Sequence, residues 1–146
     1  MSLVRCYLPL TVEELRALQQ HRALTGDRDA YAVTESVRRS DPGGDDESWE
    51  WAAMQDAARH QLAAGAPVLV AAVDIERGQV DDHTPAGSRV AVSGTVTLPR
   101  VAALHAGDDV TAPGSPRPGA DEEIELSWFD TTELDHLVGL AQDAAG

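Results

Sequence analysis

The chain has 146 residues, of which 42% are apolar and 25% are charged, and its formal net charge is −14. This composition predicts a single globular domain over residues 1–146 and excludes a disordered or collagen-like chain. No run of 18 apolar residues and no secretory signal is visible, so we expect neither a transmembrane helix nor export.

The charge is distributed unevenly along the chain. Residues 1–40 carry a net charge of +1, and residues 41–146 carry −15. Nucleic-acid binding requires basic side chains that neutralise phosphates, and anionic membranes repel acidic surfaces in the same way. We therefore expect no nucleic-acid or membrane partner. The acidity indicates a solubility effect or an acidic surface that binds a basic protein.

Cysteine and codon usage indicate the cellular setting. Cys6 is the single cysteine and lies in an apolar segment, which predicts a buried, inert thiol and a cytoplasmic protein. All 11 basic residues are arginine, and both lysine and asparagine are absent. This bias is typical of a bacterial genome rich in G and C.

The first half of the chain predicts two strands and two helices. The strands cover residues 3–8 and 30–34, and the segment around residues 40–46 has the composition of a loop. A helix begins after Thr11, which forms a capping-box pattern with Glu14. A second helix is predicted over about residues 46–64.

The second half predicts strands over residues 67–75, 89–97, 101–105 and 123–129. The first of these is almost continuously apolar, as in a central strand covered on both faces. Residues 106–121, rich in proline and glycine, predict a flexible loop. Asp130 and Glu133 repeat the capping pattern and start the last helix. Trp128 before them is expected in the core.

These elements predict an α+β fold. We expect a mixed, mainly antiparallel sheet of about five to six strands, with three helices packed mostly on one face. On the second helix, a spacing of 100° per residue places Trp51, Met54, Ala58 and Leu62 toward the core. It places Trp49, Ala53, Asp56 and His60 on the opposite face.

Trp49, Asp56 and His60 are therefore the candidate surface or pocket residues. An Asp four residues before a His can orient the imidazole for acid–base chemistry, but an exposed ion pair is the commoner outcome. Trp49 is expected either to pack on the loop at 40–45 or to mark a contact surface.

Known catalytic and cofactor motifs are missing from the sequence. The absence of lysine excludes Schiff-base chemistry and a Walker-type ATP site. The run Asp81-Asp82-His83 is too short to build a closed metal site alone. We expect no catalytic residues, no metal and no cofactor.

Several segments resemble a small actinobacterial family that is known only as a domain of unknown function. The resemblance lies in residues 5–11, 30–34, 49–53, 56–58, 70–74, 96–105 and 125–129. Members of that family tend to carry Tyr in the second-helix motif, where this chain has Trp51. The resemblance implies a bacterial cytoplasmic protein and assigns no activity, cofactor or site residue.

Two functions remain open from the sequence. The favoured hypothesis is a non-catalytic binding or protein-interaction domain that uses a sheet edge or a helix face, with a homodimer as one option. The alternative is a small-molecule hydrolase or ligand-binding protein that uses Asp56, His60 and loop carboxylates. A concave pocket that holds Asp56 or His60 would favour the alternative.

Overall fold

A computed structural model describes residues 2–82 and 86–145. The strands of this part of the chain are β1 (Leu3–Pro9), β2 (Ala23–Leu24), β3 (Arg28–Ala32), β4 (Leu69–Glu76), β5 (Val80–Asp81), β6 (Arg89–Val92), β7 (Val96–Thr97), β8 (Val101–Gly107) and β9 (Leu126–Phe129). The helices are α1 (Val12–His21), α2 (Glu35–Ser40), α3 (Asp46–Ala63), α4 (Asp108–Thr111) and α5 (Leu134–Ala145). None of the described helices is long and apolar enough to cross a membrane.

The main sheet has seven strands in the order β5-β6-β3-β1-β4-β8-β9, and β2 and β7 form a separate ribbon. All strand pairings of the described residues are antiparallel. The α+β class and the mainly antiparallel sheet are thus confirmed. The counts were too low: the main sheet has seven strands where five to six were expected, and the described residues form five α-helices where three were expected. The apolar strand β4 is buried on both faces in the middle of the sheet, as its sequence predicts.

The first face of the sheet carries the larger core. Cys6 and Leu8 of β1 point to this face and pack with Leu15 and Leu18 of α1. Helix α5 lies beside α1 and adds an apolar stripe that includes Leu137. Leucine and valine side chains from both layers interdigitate here, which makes this face the main source of apolar burial.

The second face is covered by α3, so the expectation that the helices lie mostly on one face is wrong. Helix α3 contacts β1, β3 and β4. The sheet therefore lies between α1 and α5 on one side and α3 on the other. Physically, β1 and β4 are apolar on both faces, and each face needs a covering layer.

Local signals set several element boundaries. Thr11 accepts a hydrogen bond from the Glu14 N–H at 3.1 Å, and the Glu14 carboxylate accepts one from the Thr11 N–H at 3.0 Å, which confirms the capping box. The Glu133 carboxylate accepts a hydrogen bond from the Asp130 N–H at 2.9 Å, before a 3₁₀ turn that leads into α5. The polar segments at both helix starts predicted these caps from spacing alone.

The predicted loop at 106–121 is partly regular. Strand β8 continues to Gly107, and the short helix α4 follows it directly. Residues 112–125 are irregular, and β9 begins only at Leu126. The predicted strand at 89–97 is divided into β6 and β7, because Gly94 has a positive φ of 84° that interrupts extended backbone. That residues 106–121 are flexible stays a prediction.

Candidate functional site

Helix α3 packs on the second face through small side chains. Ala53, Ala57 and Ala58 are fully buried against Tyr7 of β1 and the second-face residues of β4. This arrangement corrects the predicted helix orientation: Ala53 faces the core, and Trp51, expected there, is 39% exposed. Met54 and Leu62 are only partly buried. Alanine brings the helix backbone close to the sheet, and this leaves no room beneath it for an indole ring.

Two buried glutamines anchor α3 to neighbouring backbone. The Gln55 side chain donates to the Ile124 carbonyl at 2.8 Å and accepts from the Ile124 N–H at 2.9 Å. The Gln61 side chain donates to the Leu10 carbonyl at 2.6 Å. These bonds satisfy backbone groups that would otherwise be buried without partners. They fix the helix on the sheet and hold Ile124 against its flank.

Part of the second face is left without helix cover. Helix α3 lies over β1, β3 and β4 and makes at most slight contact with β8 and β9, although Ala103 of β8 packs in the same buried cluster as the α3 alanines. We call this region the open strip and define it by the following residues: Arg5, Trp51, Asp74, His105 and Trp128. Strand alternation places the strand residues of this set on one face, because Arg5 shares the face of Tyr7, and Trp128 pairs with His105. Leu3 is on the same face but at the other end of the sheet, opposite Glu76, whereas His105 is opposite Val70.

The open strip carries two of the three exposed large apolar side chains of residues 2–82 and 86–145, Trp51 and Trp128. Leu3 is 45% exposed, Trp51 39% and Trp128 61%. Trp51 lies one helical turn before Gln55, on the flank of α3 that faces Ile124 and the start of β9. Trp128 was expected in the core; instead its neighbour Phe129 points to the buried first face and Trp128 points outward.

Polar groups between these apolar side chains are paired. The Arg5 guanidinium donates to the Asp74 carboxylate at 2.7 Å across β1 and β4. The Asp74 hydrogen bond raises the pKa of Arg5. Burial, with a further effect of the Arg5 charge, lowers the pKa of His105, which favours the neutral imidazole. Burial raises the pKa of Tyr7 to about 12. The open strip thus presents a neutral imidazole and an ion pair. Such groups are better suited to binding another protein than to transferring protons at neutral pH.

Two of the sequence candidates, Asp56 and His60, lie on the other flank of α3, over β3 and β6. Asp56 accepts a hydrogen bond from the buried Ser88 hydroxyl at 2.6 Å and lies 3.6 Å from the Arg59 guanidinium. The Nδ1 atom of His60 lies 3.3 Å from the Tyr31 hydroxyl. Asp56 therefore contacts the residue that precedes β6, whereas His60 contacts β3.

Trp49 packs on the neighbouring loop, one of the two outcomes considered for it. Its indole N–H donates to the Asp41 carbonyl at 3.0 Å, and the Arg38 guanidinium lies 5.7 Å from its ring centre. Gly44 completes this packing, since a Cβ there would lie 2.7 Å from the indole nitrogen. These contacts hold the loop onto the start of α3.

Two cavities lie away from Asp56 and His60. The larger, of about 480 Å³, opens at one end of the sheet and mixes Arg5, Arg38 and Arg77 with the carboxylates of Glu35 and Glu50. The other, of about 320 Å³, lies between β8 and the segment before β9. Its ionisable lining groups are five carboxylates and one guanidinium: Asp108, Asp109, Glu122, Glu123, Glu125 and Arg117.

Metal binding was considered for Asp81, Asp82 and His83. His83 lies outside the described residues. Within residues 2–82 and 86–145, no group of three His, Cys, Asp or Glu side chains is arranged to hold a metal ion. Cys6 is fully buried, as its sequence context predicts, and burial raises its pKa to about 12.

The fold and the open strip define a small three-layer domain that presents aromatic side chains on one partly covered sheet face. The chain belongs to a family of unknown function (DUF6912), whose model matches residues 4–138. This match confirms the resemblance to an uncharacterised family, and the actinobacterial origin stays a prediction. In the comparisons with curated proteins and with solved structures, nothing matches the chain.

Proposed function

We propose that the chain is a non-catalytic, cytoplasmic protein-binding domain, and that the open strip is its binding surface. The observation that carries the proposal is the exposure of Trp51 and Trp128 at the same partly covered sheet face. Exposed apolar surface is costly in water, and a cluster of it on one face is typical of an interaction site. Tryptophan is enriched among the residues that contribute most to protein–protein affinity.

The proposed partner is a different, basic protein. The chain has a net charge of −14, so a partner with positive charge gains long-range attraction and a higher association rate. A nucleic acid or an anionic membrane would be repelled by the same charge. A second copy of the chain is the competing occupant.

Site-specific photo-crosslinking tests this function. A benzophenone amino acid replaces Trp128 in one version and Gln20, an exposed residue of α1, in a control version. Both versions are expressed in the cells from which the sequence comes and are irradiated. We expect a discrete crosslinked product from position 128 that the position 20 probe does not give, and we expect Trp51→Ala to reduce it.

Three results would contradict the proposal. Equal crosslinking from both positions would mean that the strip is not a specific surface. No product from position 128 would mean that the strip has no protein partner in the cell. A product with twice the mass of the chain, composed of this chain alone, would identify a homodimer in place of a different protein.

A further inference from the structure

The two edges of the main sheet are built differently. Strand β5 is two residues long and carries Asp81, and shortness and charge are both features that prevent an edge from pairing with another chain. Strand β9 at the opposite edge reads Leu-Ser-Trp-Phe. It has no charge and no proline, and no register shift interrupts its pairing with β8. In the described part of the chain, no further strand pairs with the outer side of β9.

An unpaired strand edge exposes backbone N–H and C=O groups. These groups bind an extended segment of another chain as an additional strand, in a manner known as β-augmentation. Trp128 is 61% exposed on this strand and would pack on alternate side chains of such a segment. The outer edge of β9 thus offers backbone hydrogen bonds, and the Trp128 side chain offers apolar contacts, to the same bound segment.

The surroundings of β9 determine which segment fits. Glu125 precedes the strand, and Asp130 follows it. The 320 Å³ cavity at the start of β9 has five carboxylates and one guanidinium among its lining residues. Arg117 of this lining lies 3.6 Å from Asp109, so its charge is already paired within the cavity. The excess of negative charge favours a segment that carries arginine or lysine.

The same charges disfavour a second copy of the chain. In an antiparallel pair of β9 strands that matches all four residues, Leu126 of one copy lies opposite Phe129 of the other. Glu125 would then lie opposite Asp130 at both ends of the pair. Like charges directly opposite each other destabilise a strand pair.

We propose that the β9 edge binds an extended, basic segment of a partner protein as an eighth strand of the sheet. This inference rests on the proposed protein-binding function and adds the partner's conformation and charge. Backbone hydrogen bonds to β9 supply affinity, and the acidic cavity and Trp128 select alternating basic and apolar side chains.

Synthetic peptides test the inference on the intact chain. The probe is an eight-residue, fluorescently labelled peptide that alternates arginine with valine and threonine. One control peptide has the same sequence with every backbone nitrogen methylated, and the other has glutamate in place of arginine. Binding is measured by fluorescence anisotropy, and amide hydrogen exchange of β9 and β5 is followed with and without peptide.

We expect the arginine peptide to bind and to slow amide exchange in β9 but not in β5. Methylation removes the peptide's hydrogen-bond donors and should weaken binding by at least about tenfold. The glutamate peptide should not bind. Trp128→Lys should weaken binding of the arginine peptide, whereas Gln20→Lys, the same charge change on α1, should alter it by less than about twofold.

Equal affinity for the methylated peptide, or unchanged exchange in β9, would overturn strand addition and leave only non-specific attraction between charges. Self-association of the chain without peptide binding would identify a second copy as the occupant and overturn the inference. Binding of none of the peptides would also overturn it. The proposed function has its own test, because crosslinking from position 128 detects a partner in any conformation.

Discussion

The two faces of the main sheet are covered in different ways. The first face lies under α1 and α5 and buries leucine and valine side chains from both layers. The second face lies under α3 and Ile124; the helix contacts the sheet through alanine and is held by the hydrogen bonds of Gln55 and Gln61. Trp51 and Trp128 stay exposed beside this cover.

This difference separates stability from recognition. Burial of large apolar side chains on the first face supplies most of the favourable free energy of folding. The open strip on the second face keeps its tryptophans in water, where they contribute less to the fold and are accessible to another protein. Substitutions on the two faces should therefore have different consequences.

The largest expected effect is on the first face. Leu8 of β1 is fully buried, and Leu8→Ala should lower the free energy of unfolding by about 2–5 kcal/mol, because it removes apolar contacts and leaves a cavity. Leu3 lies on the same strand and points to the second face, so Leu3→Ala is the matched control, with an expected loss below about 1 kcal/mol. Urea unfolding measures both, and similar losses would remove the distinction between the faces.

The next effect concerns how α3 is attached. Gln55→Leu keeps the size of the side chain but leaves the Ile124 N–H and C=O without their partner. We expect a loss of about 2–4 kcal/mol in the free energy of unfolding. Gln20→Leu on the exposed side of α1 should change it by less than about 0.5 kcal/mol. A loss at Gln55 no larger than at Gln20 would mean that these bonds do not hold the helix.

A smaller effect is expected at Asp56. An exposed ion pair alone would contribute little, but Asp56 also accepts the hydrogen bond of the buried Ser88 hydroxyl. Asp56→Ala should therefore cost about 1 kcal/mol, close to the cost of Thr11→Ala at the cap of α1. A double-mutant cycle of Asp56→Ala with Ser88→Ala, followed by urea unfolding, should give a coupling of at least about 0.5 kcal/mol. A coupling near zero would show that the pair contributes nothing.

The smallest effect is a pH dependence from His105 at the open strip. Burial and the Arg5 charge lower its folded-state pKa below the unfolded value of about 6.5. As the pH falls below about 6.5, the unfolded state binds the proton first, so stability decreases until the folded-state pKa is reached. The difference in urea midpoint between pH 7.5 and pH 5.5 should therefore be smaller in His105→Gln than in the original chain. An equal difference would assign the pH dependence to other groups.

The sequence predicted the elements whose signals are local. The capping box of Thr11, the apolar run of β4 and the burial of Cys6 depend on neighbouring residues, and the structure confirms them. The short elements α2 and β5 were missed, because six and two residues provide too few positions for a periodic pattern.

The candidate site depended on tertiary packing and was harder to predict. The helical spacing of Trp51, Met54 and Leu62 predicted that Trp51 faces the core. Helix α3 instead packs through alanine, and the glutamines that anchor it bond to backbone distant in sequence. One signal was available: Trp128 and Phe129 are adjacent in a strand and must point to opposite faces. Which of these two side chains is exposed depends on which one packs into the core of the first face, and that is set by the tertiary structure.

Crosslinking across the open strip tests the central claim most directly. A benzophenone amino acid at position 51 reports partner binding on one side of the strip, and Trp128→Thr removes the aromatic side chain on the other. A tryptophan central to an interface contributes about 2 kcal/mol or more, so the crosslink at position 51 should decrease by at least about tenfold under non-saturating conditions. Urea unfolding should show that Trp128→Thr costs less stability than Leu8→Ala. An undiminished crosslink, or a loss of stability equal to that of Leu8→Ala, would contradict the account.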